Sequence, residues 1–259
     1  MAGAAAAGLA VTQTRTYQGR SDWLCVFGVG DSEYGAAREA HKQSGRRVVC
    51  WDIGYLGQRQ LKVGSPDKTN VRVSVDADHP STELMERTKP DPSRWARCGL
   101  HLSELCAAKG PVLVIGMGGK SRQHLGGGRS WEENALLEAR ARFPKHEVVY
   151  RTKPRLPGKN LDCVKWPFIS TGEFVVDALR GASLVICRHS NVAIDACIAG
   201  VPVECEDGAA YWLYRRGSVP TVAQRLDFLH RLCWWQWRFS EMDKAWLFLQ
   251  SMLTVEALA

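Results

Sequence analysis

Residues 183–208, SLVICRHSNVAIDACIAGVPVECEDG, decide the fold of this chain. The stretch opens on an apolar run, residues 184–187, whose length and residue types are typical of a strand buried in a parallel sheet. The run stops at a polar cluster, residues 188–191, which predicts a loop directly after the strand.

A short helix is predicted after this loop, because residues 191–199 are apolar at helical spacing. Ser190 or Asn191 would cap its N-terminus, and Gly200 would end it. Residues 201–205 then predict a second strand. The stretch is therefore expected to form a strand–loop–helix–strand unit of an α/β protein.

The polar loop and the helix start are a candidate anion site. Free backbone N–H groups and the positive end of the helix dipole hold anions there, most often phosphate. The candidate contacts are Arg188, His189, Ser190 and Asn191, and Asp195 is placed to accept hydrogen bonds from a ribose. The alternative is that the unit is purely structural, since most strand–loop–helix units bind nothing.

The pattern Ser-Asn-x3-acid followed by an apolar residue and Gly-Val-Pro-Val resembles the nucleotide-sugar site of GT-B glycosyltransferases. It is also similar to the site of related glycerophosphotransferases and sugar epimerases. The resemblance implies an α/β chain with two Rossmann-like domains facing a cleft, and C-terminal helices that pack back on the first domain. It further implies a nucleotide-sugar donor, a UDP-sugar, with Asp195 on its ribose and no separate cofactor.

Length and composition fit two small domains and a globular protein. The chain has 259 residues, of which 45% are hydrophobic and 24% charged. No apolar run approaches the roughly 20 residues that span a bilayer. The net charge of +7 favours phosphate-rich partners such as DNA, although a charge of this size also serves solubility alone.

Cysteine usage predicts a reduced, cytoplasmic protein. The nine cysteines are scattered, odd in number and without a CxxC pair, which is how buried thiols appear. Residues 1–10 lack a positive n-region, so we expect no secretory signal. Structural zinc is not expected.

Four segments are predicted along the chain: a disordered lead-in over 1–20, an acceptor-side α/β domain over 21–109, a donor-binding α/β domain over 110–220, and C-terminal helices over 221–259. The first domain opens as βαβ with strands at 23–27 and 46–52, which predicts a parallel sheet. A loop-rich stretch with a short strand at 72–75 leads to a helix predicted over 92–109. The second domain has strands at 112–115, 147–151, 184–187 and 201–205 and a helix at 131–142.

Two glycine-rich loops are candidate phosphate sites. The Gly28-x-Gly30 pair lacks the third glycine of a dinucleotide fingerprint, so it is weak evidence for NAD. The segment 116–121 lacks the first glycine of a Walker A motif. It remains a cationic loop after a strand, which places Gly118, Gly119 and Lys120 near a phosphate, unless the loop is only an exposed turn.

Cations after the strand at 147–151 are a further candidate. Arg151 and Lys153 would neutralise the diphosphate leaving group, although a charge run is often a solvated face. This neutralisation predicts transfer without a metal. The letters of a DxD motif occur at residues 76–78, but not in the setting of the metal-dependent GT-A enzymes.

An inverting transfer needs a general base that deprotonates the acceptor hydroxyl. Asp31 is the first candidate and Asp52 the second. Glu33, Tyr55 and His79 are expected on the acceptor side. Glu33 and His79 are further candidates for the base, and each candidate taken alone is better explained as a cap or a surface group than as a base.

The acceptor is predicted only by resemblance and charge. A compact basic chain with these motifs resembles the phage DNA glycosyltransferases that modify hydroxymethylated bases, which would require base flipping and reading by residues 54–92. A glycan, lipid or small-molecule acceptor fits nearly as well. Two other classes stay open: a nucleic-acid-binding protein without catalysis, and a sugar-nucleotide epimerase that needs no acceptor.

Overall fold

The structure is a computed structural model that describes residues 2–14, 16–28, 32–57, 69–106, 109–118, 121, 130–152, 166–170, 174–215, 217 and 219–254. The chain divides into two compact units. Unit 1 comprises Met1–Leu100 and Asp227–Ala259, and unit 2 comprises His101–Leu226.

The helices and strands follow one another as α1 (Ala2–Ala6), β1 (Trp23–Phe27), α2 (Ser32–Gln43), β2 (Arg47–Ile53), β3 (Asn70–Val75), α3 (Thr82–Arg87), α4 (Pro92–Ala96), β4 (Val112–Ile115), α5 (Ser130–Arg142), β5 (Val148–Arg151), β6 (Ile169–Ser170), α6 (Val175–Leu179), β7 (Leu184–Cys187), α7 (Val192–Ala199), β8 (Val203–Cys205), α8 (Tyr211–Tyr214), α9 (Val222–Leu232), β9 (Gln236–Arg238) and α10 (Met242–Thr254). Short 3-10 turns flank β9 on both sides. The predicted α/β class is confirmed, with one sheet in each unit.

The sheet of unit 1 is mixed, with the order β1-β2-β3-β9. β1 and β2 are parallel, as predicted, whereas β3 runs antiparallel to both β2 and β9. The expectation of an all-parallel sheet was therefore wrong for this unit. Gly54 shows why, because its N–H donates to the carbonyl of Asn70 at 3.0 Å and continues the β2–β3 ladder. A Cβ at position 54 would lie 2.5 Å from that carbonyl oxygen, so only glycine permits this approach.

The C-terminal segment belongs to unit 1, which confirms the prediction that the C-terminal helices pack back on the first domain. The segment is not helical throughout, although its apolar spacing predicts helix over its whole length. The chain leaves α9 through a 3-10 turn, and β9 then hydrogen-bonds to β3 as an edge strand. Trp235 and Trp237 are buried, so the aromatic residues of this segment belong largely to the core.

The first residues are more ordered than predicted. Ala2–Ala6 forms the short helix α1, which packs against α10 and buries Ala4. Further along, the Tyr17 hydroxyl lies 3.0 Å from Nδ1 of the buried His41. The expectation of a disordered lead-in is corrected at these positions, where Gly3 lets α1 approach α10 closely because a Cβ on this residue would collide with Met242.

Unit 2 is built on a fully parallel sheet with the order β6-β5-β4-β7-β8. β4 and β7 are buried along their whole length and occupy the residues that their apolar runs predicted. α5 packs on β4 and β5, and α7 packs on β7 and β8. The sheet thus has the topology on which a strand-end site can form.

The helix predicted over 92–109 is wrong beyond its first turns. α4 ends at Ala96, and Gly99 follows in the left-handed region at φ 64°. The next residues, 100–106, form no helix or strand, and the Ser103 N–H donates to the carbonyl of Ile198 at 2.8 Å. The apolar residues that have helical spacing here belong to an irregular segment that packs beside the end of α7.

None of the helices in the described ranges combines the length and the apolar character needed to cross a membrane.

Candidate functional site

The carboxyl ends of β4 and β7 form the switch point of the parallel sheet. The two strands are adjacent, with Val114 opposite Ile186, but β4 continues to β5 on one side and β7 continues to β8 on the other. Ligands of open α/β sheets bind in the crevice that this divergence leaves at the strand ends. The loops that begin at Gly116 and Arg188 start at this position.

A buried carboxylate fixes the loop after β4. Glu132, at the start of α5, has 0% exposure and accepts hydrogen bonds from the Met117 N–H at 2.7 Å and the Tyr150 hydroxyl at 3.1 Å. Gly116 lies against the same tyrosine, and a Cβ there would be 2.6 Å from the hydroxyl oxygen. The direction in which the chain leaves β4 toward Gly118 is therefore set by these side chains.

Sequence reasoning missed Glu132. The available signal was a pair of acids, Glu132 and Glu133, in the first turn of α5. Acids in a first turn are ordinary partners of the helix dipole, so the pattern did not indicate which of the two is buried.

The loop after β7 leads directly into α7. The Ser190 hydroxyl accepts a hydrogen bond from the Val192 N–H at 3.2 Å, whereas Asn191, at the cap position, makes no side-chain capping bond. The Arg188 carbonyl accepts the N–H groups of Glu206 and Asp207 at 3.1 and 2.8 Å. The loops after β7 and β8 are thereby joined, and the start of α7 is held at the strand ends.

A series of side-chain contacts also links these loops to α5. The Trp131 indole N–H donates to one Glu206 carboxylate oxygen at 2.6 Å, and the other oxygen lies 3.8 Å from Nε of Arg188. Three elements of unit 2 are thus connected around the switch point.

The predicted donor residues that the structure describes lie at strand ends or on α7. These are Gly118 after β4, Arg151 at the end of β5, Arg188, His189, Ser190 and Asn191 after β7, and Asp195 in the first turn of α7. Arg151 is only 4% exposed, so its guanidinium does not belong to a solvated charged face. Gly119, Lys120 and Lys153 lie outside the described residues.

In unit 1, three of the predicted acceptor-side residues meet around Arg72. Its guanidinium donates to the Asp52 carboxylate at 2.9 Å and lies 3.2 Å from Nδ1 of His79. The Tyr55 hydroxyl lies 3.2 Å from the same nitrogen. Sequence reasoning did not select Arg72, because the sequence does not indicate which side chains a cation on a predicted strand will contact.

The hydrogen bonds assign proton positions in this network. An arginine can only donate, so Nδ1 of His79 accepts and a neutral ring carries its proton on Nε2. Tyr55 is fully buried, and burial raises the pKa of its hydroxyl above the usual value. The other Asp52 oxygen accepts the Ile53 N–H at 2.7 Å. The network therefore orients Asp52 and His79 through the guanidinium of Arg72 and the buried hydroxyl of Tyr55.

Asp31 lies outside the described residues, as does the side chain of Glu33, which is part of α2.

The DxD letters directly follow β3, and arginines hold both acids. Asp76 pairs with Arg47 at 2.7 Å, and Asp78 pairs with Arg38 at 2.8 Å. Asp76 also accepts the Val48 N–H at 2.7 Å. No group of three or more His, Cys, Asp or Glu side chains within the described ranges is arranged to hold a metal ion.

Comparison with known proteins found no protein-family model and no curated protein that matches the chain. Among solved structures, it is similar to the beta Kdo 2,4 transferase of Thermosulfurimonas dismutans KpsC, with 15% identity, a TM-score of 0.45, and coverage of 80% of this chain and 78% of that chain. The beta Kdo 2,7 transferase of the same KpsC gives 17% identity, a TM-score of 0.47, and coverage of 80% and 75%.

Proposed function

We propose that the chain is a glycosyltransferase that moves a sugar from a nucleotide-sugar donor to an acceptor hydroxyl. The observation that supports this most is that the loops after β4 and β7 both begin at the switch point of a parallel sheet. The second loop runs into the N-terminus of α7. A diphosphate is the ligand that such a combination of backbone N–H groups and helix dipole favours.

In this proposal unit 2 binds the donor. The diphosphate contacts the start of α7 at Ser190 and Asn191 and the glycines at 118 and 119. Asp195 accepts hydrogen bonds from the ribose hydroxyls. Cations neutralise the charge that develops on the leaving diphosphate, and these are Lys120, Arg151, Lys153 and Arg188. His189 contacts the same diphosphate.

The reaction itself is a displacement at the anomeric carbon. A base takes the proton of the acceptor hydroxyl as its oxygen bonds to that carbon, and the nucleoside diphosphate leaves with the bonding electrons. Asp31 remains the first base candidate and Asp52 the second. The Arg72 contact orients Asp52 but occupies one carboxylate oxygen, which supports keeping Asp31 first.

The donor site is tested by thermal shift with UDP, other nucleoside diphosphates and their sugars, because a ligand at a hundred times its Kd adds about 2.7 kcal/mol to the free energy of unfolding. Asp195→Ala should lose the shift. Asp177→Ala is the matched control, because Asp177 is also in a first helical turn of unit 2 but pairs with the exposed Arg180. Absence of a shift with every nucleotide tested would remove the donor proposal.

The acceptor is tested with DNA containing hydroxymethylated bases against unmodified DNA of the same sequence, and with simple sugar acceptors in parallel. The net charge of +7 supports including DNA in this set. Turnover of the donor without any acceptor would indicate an epimerase, and binding without turnover a non-catalytic protein. We propose that transfer is independent of metal ions, so activity should survive EDTA.

A further inference from the structure

Two cysteines of unit 1 face each other. The Sγ atoms of Cys98, which follows α4, and Cys233, in the 3-10 turn after α9, are 4.0 Å apart. Cys233 is buried and Cys98 is partly exposed. A small reagent can therefore reach the Cys98 thiol, whereas the Cys233 thiol is buried next to it.

The pair lies in a strongly cationic cavity. Arg94, Arg97 and Arg238 line this cavity, and the single acid among its described lining residues, Glu241, pairs with Arg97 at 2.9 Å. Arg94 is held in place by hydrogen bonds to the carbonyls of Cys233 at 3.0 Å and Gln236 at 2.9 Å.

These contacts give the two thiols different roles. A hydrogen bond from Cys233 and the nearby guanidinium groups lower the pKa of Cys98, despite its partial burial. The same hydrogen bond, with burial, raises the pKa of Cys233. Cys98 is therefore the more acidic thiol of the two, an arrangement typical of a reactive cysteine beside a resolving one.

We propose that Cys98 and Cys233 form a dithiol pair that hydroperoxides oxidise to a disulfide. The Cys98 thiolate attacks a peroxide oxygen, the O–O bond breaks, and water or an alcohol leaves after protonation. Cys233 then attacks the sulfur of the resulting sulfenic acid, which releases water and forms the S–S bond. The two thiols are oxidised by two electrons, and the peroxide is reduced.

Gln236 connects this pair to the network around His79. Its side-chain N–H2 group lies 3.8 Å from the Cys98 sulfur, and its Oε1 accepts the N–H groups of Tyr55 at 2.9 Å and Leu56 at 2.8 Å. Gln236 is only 3% exposed, so it has little room to find other partners. When the thiolate becomes a disulfide, the amide loses a charged acceptor, and its displacement moves Tyr55, whose hydroxyl contacts His79.

The test uses the full-length reduced protein treated with hydrogen peroxide, then alkylated, digested and analysed by mass spectrometry. The expected product is a peptide pair linked through Cys98 and Cys233. In Cys233→Ser, dimedone should instead trap the sulfenic acid at Cys98. Cys106→Ser, which changes an exposed thiol of unit 2, should leave the linked pair unchanged. Failure to form the linked pair in the wild type would overturn the proposal.

Two further readouts do not depend on isolating the linked peptides. At pH 6.5 Cys98 should alkylate about fivefold faster than an ordinary exposed thiol, since its larger thiolate fraction outweighs its lower nucleophilicity. Equal rates for Cys98 and Cys106 would contradict the assignment. The ring signals of His79 in NMR spectra should shift on oxidation in the wild type and not in Cys98→Ser, and an unchanged spectrum would refute the connection through Gln236. None of these measurements involves a donor, so their outcome is independent of the proposed transferase activity.

Discussion

Replacing Glu132 by leucine tests whether a buried carboxylate holds the loop after β4. Glu132 is fully buried and receives the Met117 N–H at 2.7 Å and the Tyr150 hydroxyl at 3.1 Å. Leucine has a similar volume and no acceptor, so both donors would stay buried without this partner. Glutamine at the same position keeps an acceptor oxygen and removes only the charge, which makes it the matched comparison.

The magnitude follows from the two donors. A buried donor that loses its partner costs about 1–3 kcal/mol, so two donors cost about 2–6 kcal/mol. Removal of a buried charge relieves its own desolvation, which brings the expected loss for Glu132→Leu to about 2–4 kcal/mol. For Glu132→Gln we expect about 1 kcal/mol, the difference between a charged and a neutral hydrogen bond.

Urea unfolding at pH 7.5 measures both losses, and Tyr150→Phe supplies a double-mutant cycle. Once the tyrosine hydroxyl is gone, Glu132→Leu leaves only one buried donor, so the double variant should lose less than the sum of the single ones. The thermal shift with nucleotide should also decrease in Glu132→Leu, because the loop is no longer fixed. The reasoning fails if Leu and Gln destabilise equally, or if the cycle shows strict additivity.

Three further predictions concern single positions. Arg72→Met should lower the free energy of unfolding by about 1–3 kcal/mol and abolish transfer. Arg72→Lys should retain part of the stability and part of the transfer activity. Wild-type stability in the Met variant would refute the network. Gly116→Ala should lose about 1–3 kcal/mol in urea unfolding, because its Cβ would collide with the buried Tyr150 hydroxyl, whereas a neutral effect would show that the loop relaxes freely. Burial raises the pKa of Cys187 and Cys197 to about 12, whereas the unfolded chain releases these protons near pH 8.5. The unfolded state binds fewer protons between these values, so stability is full below pH 8.5 and at pH 9.5 is lower by about 1.4 kcal/mol per thiol, and unfolding curves that coincide at pH 7.5 and 9.5 would contradict this.

The parallel sheet of unit 2 was predictable because its strands are short apolar runs bounded by turn residues. β4 and β7 occupy the predicted residues, since a strand buried on both faces needs nothing but apolar side chains. β9 was not predictable, because its tryptophan continues the helical spacing of the residues before it. Only the free edge of β3 makes these residues a strand, and that edge is formed by a distant part of the chain.

The candidate donor loops were predictable for a related reason: loops after parallel strands lie together at one edge of a sheet. The residues that orient the side chains of the candidate sites were not predictable. Glu132 reads as an ordinary first-turn acid and Gln236 as a polar residue on a helix. Gln236 is 181 residues from the Tyr55 N–H that it receives, and no local pattern encodes such a contact.

That separation also bears on how unit 1 folds. β1 to β3 are made early, but the edge strand β9 and the amide of Gln236 belong to residues that follow the whole of unit 2. The Tyr55 and Leu56 N–H groups are buried at the end of β2 and depend on this amide for an acceptor. Contacts of such high sequence separation form late, because closing the intervening loop costs chain entropy before the contacts add any stability. The geometry around Tyr55 and His79 therefore depends on a residue that follows unit 2 in the sequence and that also contacts Cys98.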